Sequence, residues 1–215
     1  MRQINTRQKP SFSEERALHS RGYHFIAGVD EVGRGALMGP VVAAAVILPE
    51  NPKGRWRNRV RDSKQLSPTV RESLYEYITE KAVATAIGVI TPEQIDSVGI
   101  ARATRLAMKA AVEQLIPEPQ YLLIDYFKIT EVTIPQKGIT FGDSICFSIA
   151  CASIIAKVYR DKIVSAMDEI YPGYEFSRHK GYGTREHLTH LQRQGPCPEH
   201  RRSFGPVKEA LECRL

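Results

Sequence analysis

"FIAGVDEVGRGALMGPVVAAAVILP" fills residues 25–49. Two apolar runs rich in Val, Ile and Ala flank a glycine-bearing polar segment, and the first run stops on adjacent acids, Asp30 and Glu31. The β-branched content marks two strands, one over about residues 23–31 and one over 41–48, with residues 33–39 returning the chain as a hairpin. Charges at the end of a core-forming strand are costly unless something binds or pairs with them.

On the N-terminal side, residues 11–14 have capping-box spacing and Gly22 can end a turn, which predicts a short helix over 13–21. Residues 84–90 read as a third strand. Between the strands, "RVRDSKQLSP" at 59–68 reads as a basic surface loop that feeds a helix reaching Lys81, on which Val70, Leu74, Tyr77 and Ile78 keep a helical period. A second helical pattern over 100–116 carries Ala103, Leu106, Ala110 and Leu115 on one side. Pro117 and Pro119 stop it before "YLLID", a buried strand ending on Asp125. Residues 144–170 contain neither Pro nor Gly, and Ala150, Ala152, Ser153 and Ala156 would let a long helix lie close to a sheet. Beyond Pro172 comes a basic, glycine-rich stretch, "SRHKGYGTREH", and a last helix from about Val207. Strands interleave with helices, so the class is α/β with a helical C-terminal extension.

A chain of 215 residues can bury roughly 70% of its unfolded surface in one core. No apolar run approaches the roughly 20 residues of a membrane span, so no membrane partner is expected. The net charge of +6 suits a polyanionic partner such as nucleic acid. Cys146, Cys151, Cys197 and Cys213 show no CxxC pairing, which predicts free thiols and a cytoplasmic setting. Monomer is the default expectation.

Asp30 and Asp125 both end apolar strands, the edge at which parallel sheets collect ligands. Asp143 follows "ITFG" and precedes the long helix, where taken alone it reads as an N-cap sooner than as a ligand. Glu31 points away from Asp30 in a regular strand, and a kink or bulge would be needed to bring both to one site. Four clustered carboxylates repel unless hard cations such as Mg²⁺ or Mn²⁺ neutralise them. Two such ions about 3.5–4 Å apart suit phosphodiester hydrolysis.

Other constellations point elsewhere. "GRGALMG" has the form GxGxxxG after a strand, but its spacing is one residue too long for a dinucleotide loop and the two acids would repel a pyrophosphate. His187, His190, Cys197 and His200 offer zinc-type donors, yet their mixed spacing and the helical pattern of 187–191 favour surface histidines. Tyr182, in "HKGYGT", fits a platform that stacks on a sugar or base and equally a residue that packs its own loop.

The segments "AGVDEVGRG", "DSKQLS", "LLID", "GDSICFSIACASIIAKVYRD", "HKGYGTREH" and "HRRSF" together resemble bacterial ribonuclease HII, over roughly residues 14–207. The resemblance implies a ribonuclease H-like fold, a five-stranded mixed sheet flanked by helices. It divides the chain into a polar arm (residues 1–12), a catalytic domain (13–195) and a helical extension (196–215). It implies an endonuclease that cuts 5′ to ribonucleotides in duplex DNA or RNA–DNA hybrids, leaving 3′-hydroxyl and 5′-phosphate ends and starting ribonucleotide removal.

By motif position the resemblance makes Asp30, Glu31, Asp125 and Asp143 the catalytic, metal-binding carboxylates, holding two Mn²⁺ or Mg²⁺ ions. Gly33, Arg34 and Gly35 would read the ribose 2′-hydroxyl, Tyr182 would stack on the adjoining deoxyribose, and Lys64 would anchor a phosphate. Lys157, Arg160 and Lys180 are weaker candidates for a basic track. The chain departs from the family pattern at Tyr126, where Gly usually follows the third acid, and at Ala36 and Met38, where Pro and Ala are common. Two other classes remain beside this one: a nucleic-acid-binding module without catalysis, and a nuclease of the same fold acting on DNA alone or on long hybrids.

Overall fold

A computed structural model describes residues 9–213. Most of the polar arm, including Arg2 and Arg7, lies outside the described residues. In chain order the elements are α1 (Ser13–His19), β1 (Ile26–Val32), β2 (Val41–Ile47), α2 (Pro68–Lys81), β3 (Ala84–Ile90), α3 (Pro92–Val98), α4 (Ile100–Glu113), β4 (Tyr121–Asp125), β5 (Gln136–Ile139), α5 (Gly142–Ile145), α6 (Phe147–Ile170), α7 (Phe176–His179), α8 (Arg185–Gln194) and α9 (Gly205–Glu212).

Five strands form one mixed sheet in the order β3-β2-β1-β4-β5. The hairpin places β2 antiparallel to both β1 and β3, while β4 and β5 run parallel to their neighbours. Every residue of β2 is buried, because both faces of the sheet are covered. Val41, Ala43, Ala45 and Ile47 face a core shared with α4, whereas Val42, Ala44 and Val46 face α6. The close fit of α6 depends on Gly28 in β1, where a Cβ would lie 2.2 Å from the Ser148 carbonyl carbon.

Several boundaries differ from expectation for identifiable reasons. β1 begins at Ile26, three residues later than read: the turn after α1 ends at Gly22, and residues 23–25 are irregular, with the His24 and Phe25 N–H groups donating to the Gln120 side chain instead of to a strand. β5 carries no apolar alternation and exists through its pairing with β4. Residues 59–68 are not a plain surface loop: Val60 and Ser63 are buried, and just ahead of them Trp56 packs against Phe147. No described helix is long and apolar enough to cross a membrane. All four cysteines are free thiols, three of them buried.

Candidate active site

The parallel register of β1 and β4 pairs Val29 with Ile124, so the next residue on each strand, Asp30 and Asp125, emerges at the same sheet edge. Asp30 is 4% exposed, and Ser153 of α6 hydrogen-bonds its carboxylate. Ser153 is in turn 2.9 Å from the Ser63 hydroxyl, which ties the DSK segment to the same spot. Sequence reading treated Ser153 as a small packing residue; its hydroxyl has a second job in positioning Asp30.

Glu31 joins without the bulge that seemed necessary. The β1–β2 register runs unbroken from Ala27 to Val32, yet Asp30, Glu31 and Asp125 each bring a carboxylate oxygen within 4.8 Å of the other two. At the strand edge the longer Glu side chain has room to reach round, while Asp30 Oδ1 turns back to accept the Glu31 backbone N–H at 2.7 Å. Asp125 is held by the Gly142 N–H, also at 2.7 Å.

Asp143 lies outside that trio of oxygens. It does not cap the long helix, as its position suggested: it sits within α5, and Cys146 occupies the cap of α6. Its carboxylate instead meets Lys64 Nζ at 3.5 Å and raises the pKa of Asp125.

The site is electrostatically strained. Burial, followed by Glu31 and Asp125, holds the Asp30 carboxyl well above the usual carboxylate range. Burial likewise raises Glu31 to about 7, against the opposing pull of Arg34. Asp125 and Asp143 are also raised, burial being the largest cause for each. Glu31 Oε2 is buried with no hydrogen-bond partner, although Arg34 Nη1 approaches the other oxygen at 3.8 Å. Burial works against the charge on Lys64, but Asp143, Asp62 and Asp30 outweigh it and raise its pKa.

Glu31, Lys64 and Tyr182 line one cavity of about 240 Å³, with Ser63, Ser153 and Lys157. Gly33 takes φ +92°, and a Cβ there would lie 2.2 Å from Arg160 Nε, so the fold itself demands glycine. Gly35 differs: a Cβ there would meet nothing within 4 Å. Arg34 stacks over Phe127, its guanidinium 4.5 Å from the ring centre.

Arg160 is fully buried and so lies on no surface track. It donates to the backbone oxygens of Met38, Pro40 and Lys180 at 2.9–3.0 Å. Arg201, which sequence reading passed over within HRRSF, is buried too and donates to Gly39 and Arg34 oxygens at 2.8–3.0 Å. Together they brace the glycine-bearing turn from behind. Lys157 keeps partial exposure but pairs with Asp161 at 2.8 Å.

The histidines correct another expectation. His187 and His200 are buried, with their Nε2 atoms 3.1 Å apart. His200 Nδ1 accepts the Cys197 N–H, so its Nε2–H donates to His187, whose Nδ1–H then donates to the Tyr182 carbonyl. Burial lowers His187 to about 4 and His200 to about 3, so the pair is neutral at neutral pH. Each ring nitrogen already has a protein partner, and the relay holds the Tyr182 backbone in place. His190 stays apart on α8, near Glu175 and Glu186.

The ribonuclease HII family model matches residues 27–207 of this chain. Ribonuclease HII of Dehalococcoides mccartyi is 54% identical over 203 residues, covering 94% of this chain and 96% of that protein. Ribonuclease HII of Listeria monocytogenes is 52% identical over 196 residues, covering 91% and 74%. Among solved structures, the ribonuclease H2 from Pyrococcus horikoshii matches with a TM-score of 0.74 at 24% identity, over 87% of this chain and 97% of that one. Bst-RNase HIII in complex with Mn²⁺ matches at 0.67 and 21%, over 92% and 72%. The two structures establish the mixed five-stranded fold, and the sequence matches go further: the chain belongs to the ribonuclease HII family and is a ribonuclease H hydrolase.

Proposed function

We propose that the chain hydrolyses the phosphodiester 5′ to ribonucleotides embedded in duplex DNA or in RNA–DNA hybrids, initiating their removal. The observation that carries this reading is the convergence of Asp30, Glu31 and Asp125 on one point beside the cavity that Lys64 and Tyr182 line. A hard divalent cation fits that point: three carboxylate oxygens are gathered, one further oxygen of Glu31 is buried without a partner, and all three acids stay raised in pKa although Arg34 approaches Glu31 at 3.8 Å. When bound there, Mn²⁺ or Mg²⁺, one ion or two, would supply the positive charge that activates the attacking oxygen and stabilises the leaving one.

Asp30, Glu31 and Asp125 would hold the ions, with Asp143 beside them. Lys64 lies in position to take a phosphate oxygen when it leaves Asp143. The 33–35 turn offers its backbone to the ribose, and Gly35, for which packing gives no reason, leaves room for a close approach. Tyr182 presents its ring to the next sugar, where a 2′-hydroxyl would be rejected. We place the enzyme in the cytoplasm on its free thiols, acting as a monomer.

Hydrolysis of an RNA–DNA hybrid by wild type and by Asp30→Asn, in Mn²⁺ and in chelator, tests this assignment. Loss of activity in the variant and in chelator is expected. Undiminished activity in the variant would remove Asp30 from the chemistry.

A further inference from the structure

A second pocket, of about 240 Å³, opens beside the acidic site, and every charge in its wall is positive: Lys9, Arg16, Arg57 and Arg61, over a floor of Phe12 and Phe147. Elsewhere Arg34, Arg71, Arg105 and Arg178 each meet a carboxylate, but no carboxylate lines this pocket. Arg57 has a buried Nε with no hydrogen-bond partner, and its guanidinium lies 5.8 Å from the Phe147 ring. Arg61 is fixed by donating to the Asn58 and Val60 carbonyls at 2.9 and 2.7 Å. Trp56, packed against Phe147, pins the turn that carries these arginines. The pocket is therefore built and positively charged.

Both of its walls lead to the acidic site. Arg61 is three residues before Lys64 and Phe147 four after Asp143, and those two side chains meet at 3.5 Å. The larger cavity on the other flank, about 620 Å³ and lined by Arg71, Lys157 and Lys180, is a weaker case. There Asp161 already pairs with Lys157 at 2.8 Å and with Arg71 at 3.7 Å.

We propose that the Arg57–Arg61 pocket seats one backbone phosphate of the nucleic-acid substrate, away from the scissile bond, and so fixes how the strand enters the acidic site. The assignment rests on the reading of the chain as an enzyme of RNA–DNA duplexes. Guanidinium groups match phosphate in geometry as well as charge, and the aromatic floor suits the adjoining sugar.

The test uses the full chain, the double variant Arg57→Gln/Arg61→Gln and the single variant Arg16→Gln, whose exposed side chain can be changed without disturbing the fold. Cleavage kinetics and salt-dependent binding are measured on a ribonucleotide-containing duplex, then on a series carrying one neutral methylphosphonate at successive positions. The double variant is expected to keep kcat, to raise KM about tenfold and to lower the log–log salt slope by about one. Arg16→Gln is expected to raise KM by about two- to threefold and to lower the slope by less than the double variant does. One methylphosphonate position should weaken wild-type binding about tenfold and leave the double variant unaffected. Wild-type affinity and slope in both variants, or equal losses for all proteins at every position, would overturn the proposal. So would protection of the wild type by inorganic phosphate with no methylphosphonate effect, which would make this a site for free anions. If the wild type neither binds nor cleaves such duplexes, the reading of the substrate fails as well, an outcome distinct from failure of the pocket alone.

Discussion

A Cβ added to Gly33 would lie 2.2 Å from Nε of Arg160, whose guanidinium is pinned by three backbone carbonyls and cannot move aside. Gly35, two residues on, faces open space. Two glycines of one motif thus have different reasons to be glycine. Gly33→Ala is expected to destabilise the protein by about 2 kcal/mol or more, through overpacking and a positive φ. Gly35→Ala is expected to stay within about 0.5 kcal/mol of wild type while losing at least about tenfold in kcat/KM on a ribonucleotide substrate. Thermal denaturation alongside kinetics separates the two effects, and a destabilised Gly35→Ala would contradict the distinction.

Tyr126 adopts φ +59°, the left-handed region that favours glycine, directly after Asp125. Its ring is 66% exposed, so packing recovers little of the strain. The turn is nevertheless retained, since the Tyr126 N–H donates to the Ile139 carbonyl at 3.0 Å. Tyr126→Gly is expected to raise stability by up to about 1 kcal/mol with activity intact, as read by denaturant unfolding.

Glu31 titrates at about 7 in the ion-free protein, against 4.5 when unfolded. A raised folded pKa means that the folded state binds its proton more tightly, so the stability this gives is present below about 4.5 and lost as the pH rises through about 7. The unfolding free energy of ion-free Glu31→Gln should therefore match wild type near the acid end of that window and exceed it at the alkaline end, by at most about 3 kcal/mol. Added Mn²⁺ should stabilise wild type increasingly as the pH rises and should stabilise the variant less. A constant difference across the window would refute the assignment.

His187 and His200 act in the opposite sense. Their folded pKa values of about 4 and 3 lie below the ordinary 6.5, so their stabilisation is present above 6.5 and lost as the pH falls toward those values. His200→Phe should lower stability throughout, by breaking the relay to the Tyr182 carbonyl, and should flatten its decline between those limits. An acid limb as steep as that of wild type would show that other groups govern it.

Much of this arrangement is legible in the sequence, and the exceptions have physical causes. β1, β2, β3 and β4 announce themselves as apolar runs, and Asp30 and Asp125 by ending two of them. β5, "QKGI", has no such signature because pairing with β4, rather than its own burial, makes it a strand. Arg160, Arg201, His187 and His200 look like surface residues by type, yet each is buried once backbone carbonyls or a partner ring satisfy its polar atoms, a condition set by distant segments. The bulge expected at Glu31 is absent for a related reason: alternation governs where a side chain leaves the strand, but not how far a long one reaches past its end.

The most direct measurement is cleavage of a DNA duplex carrying one ribonucleotide, beside the same duplex made wholly of DNA, with Mn²⁺ or Mg²⁺ and with chelator. The expected result is a single cut 5′ to the ribonucleotide, leaving a 3′-hydroxyl and a 5′-phosphate, absent in chelator and reduced at least about a thousandfold in Asp30→Asn. Equal cleavage of the all-DNA duplex, or no cleavage by folded wild type with either ion, would contradict the assignment.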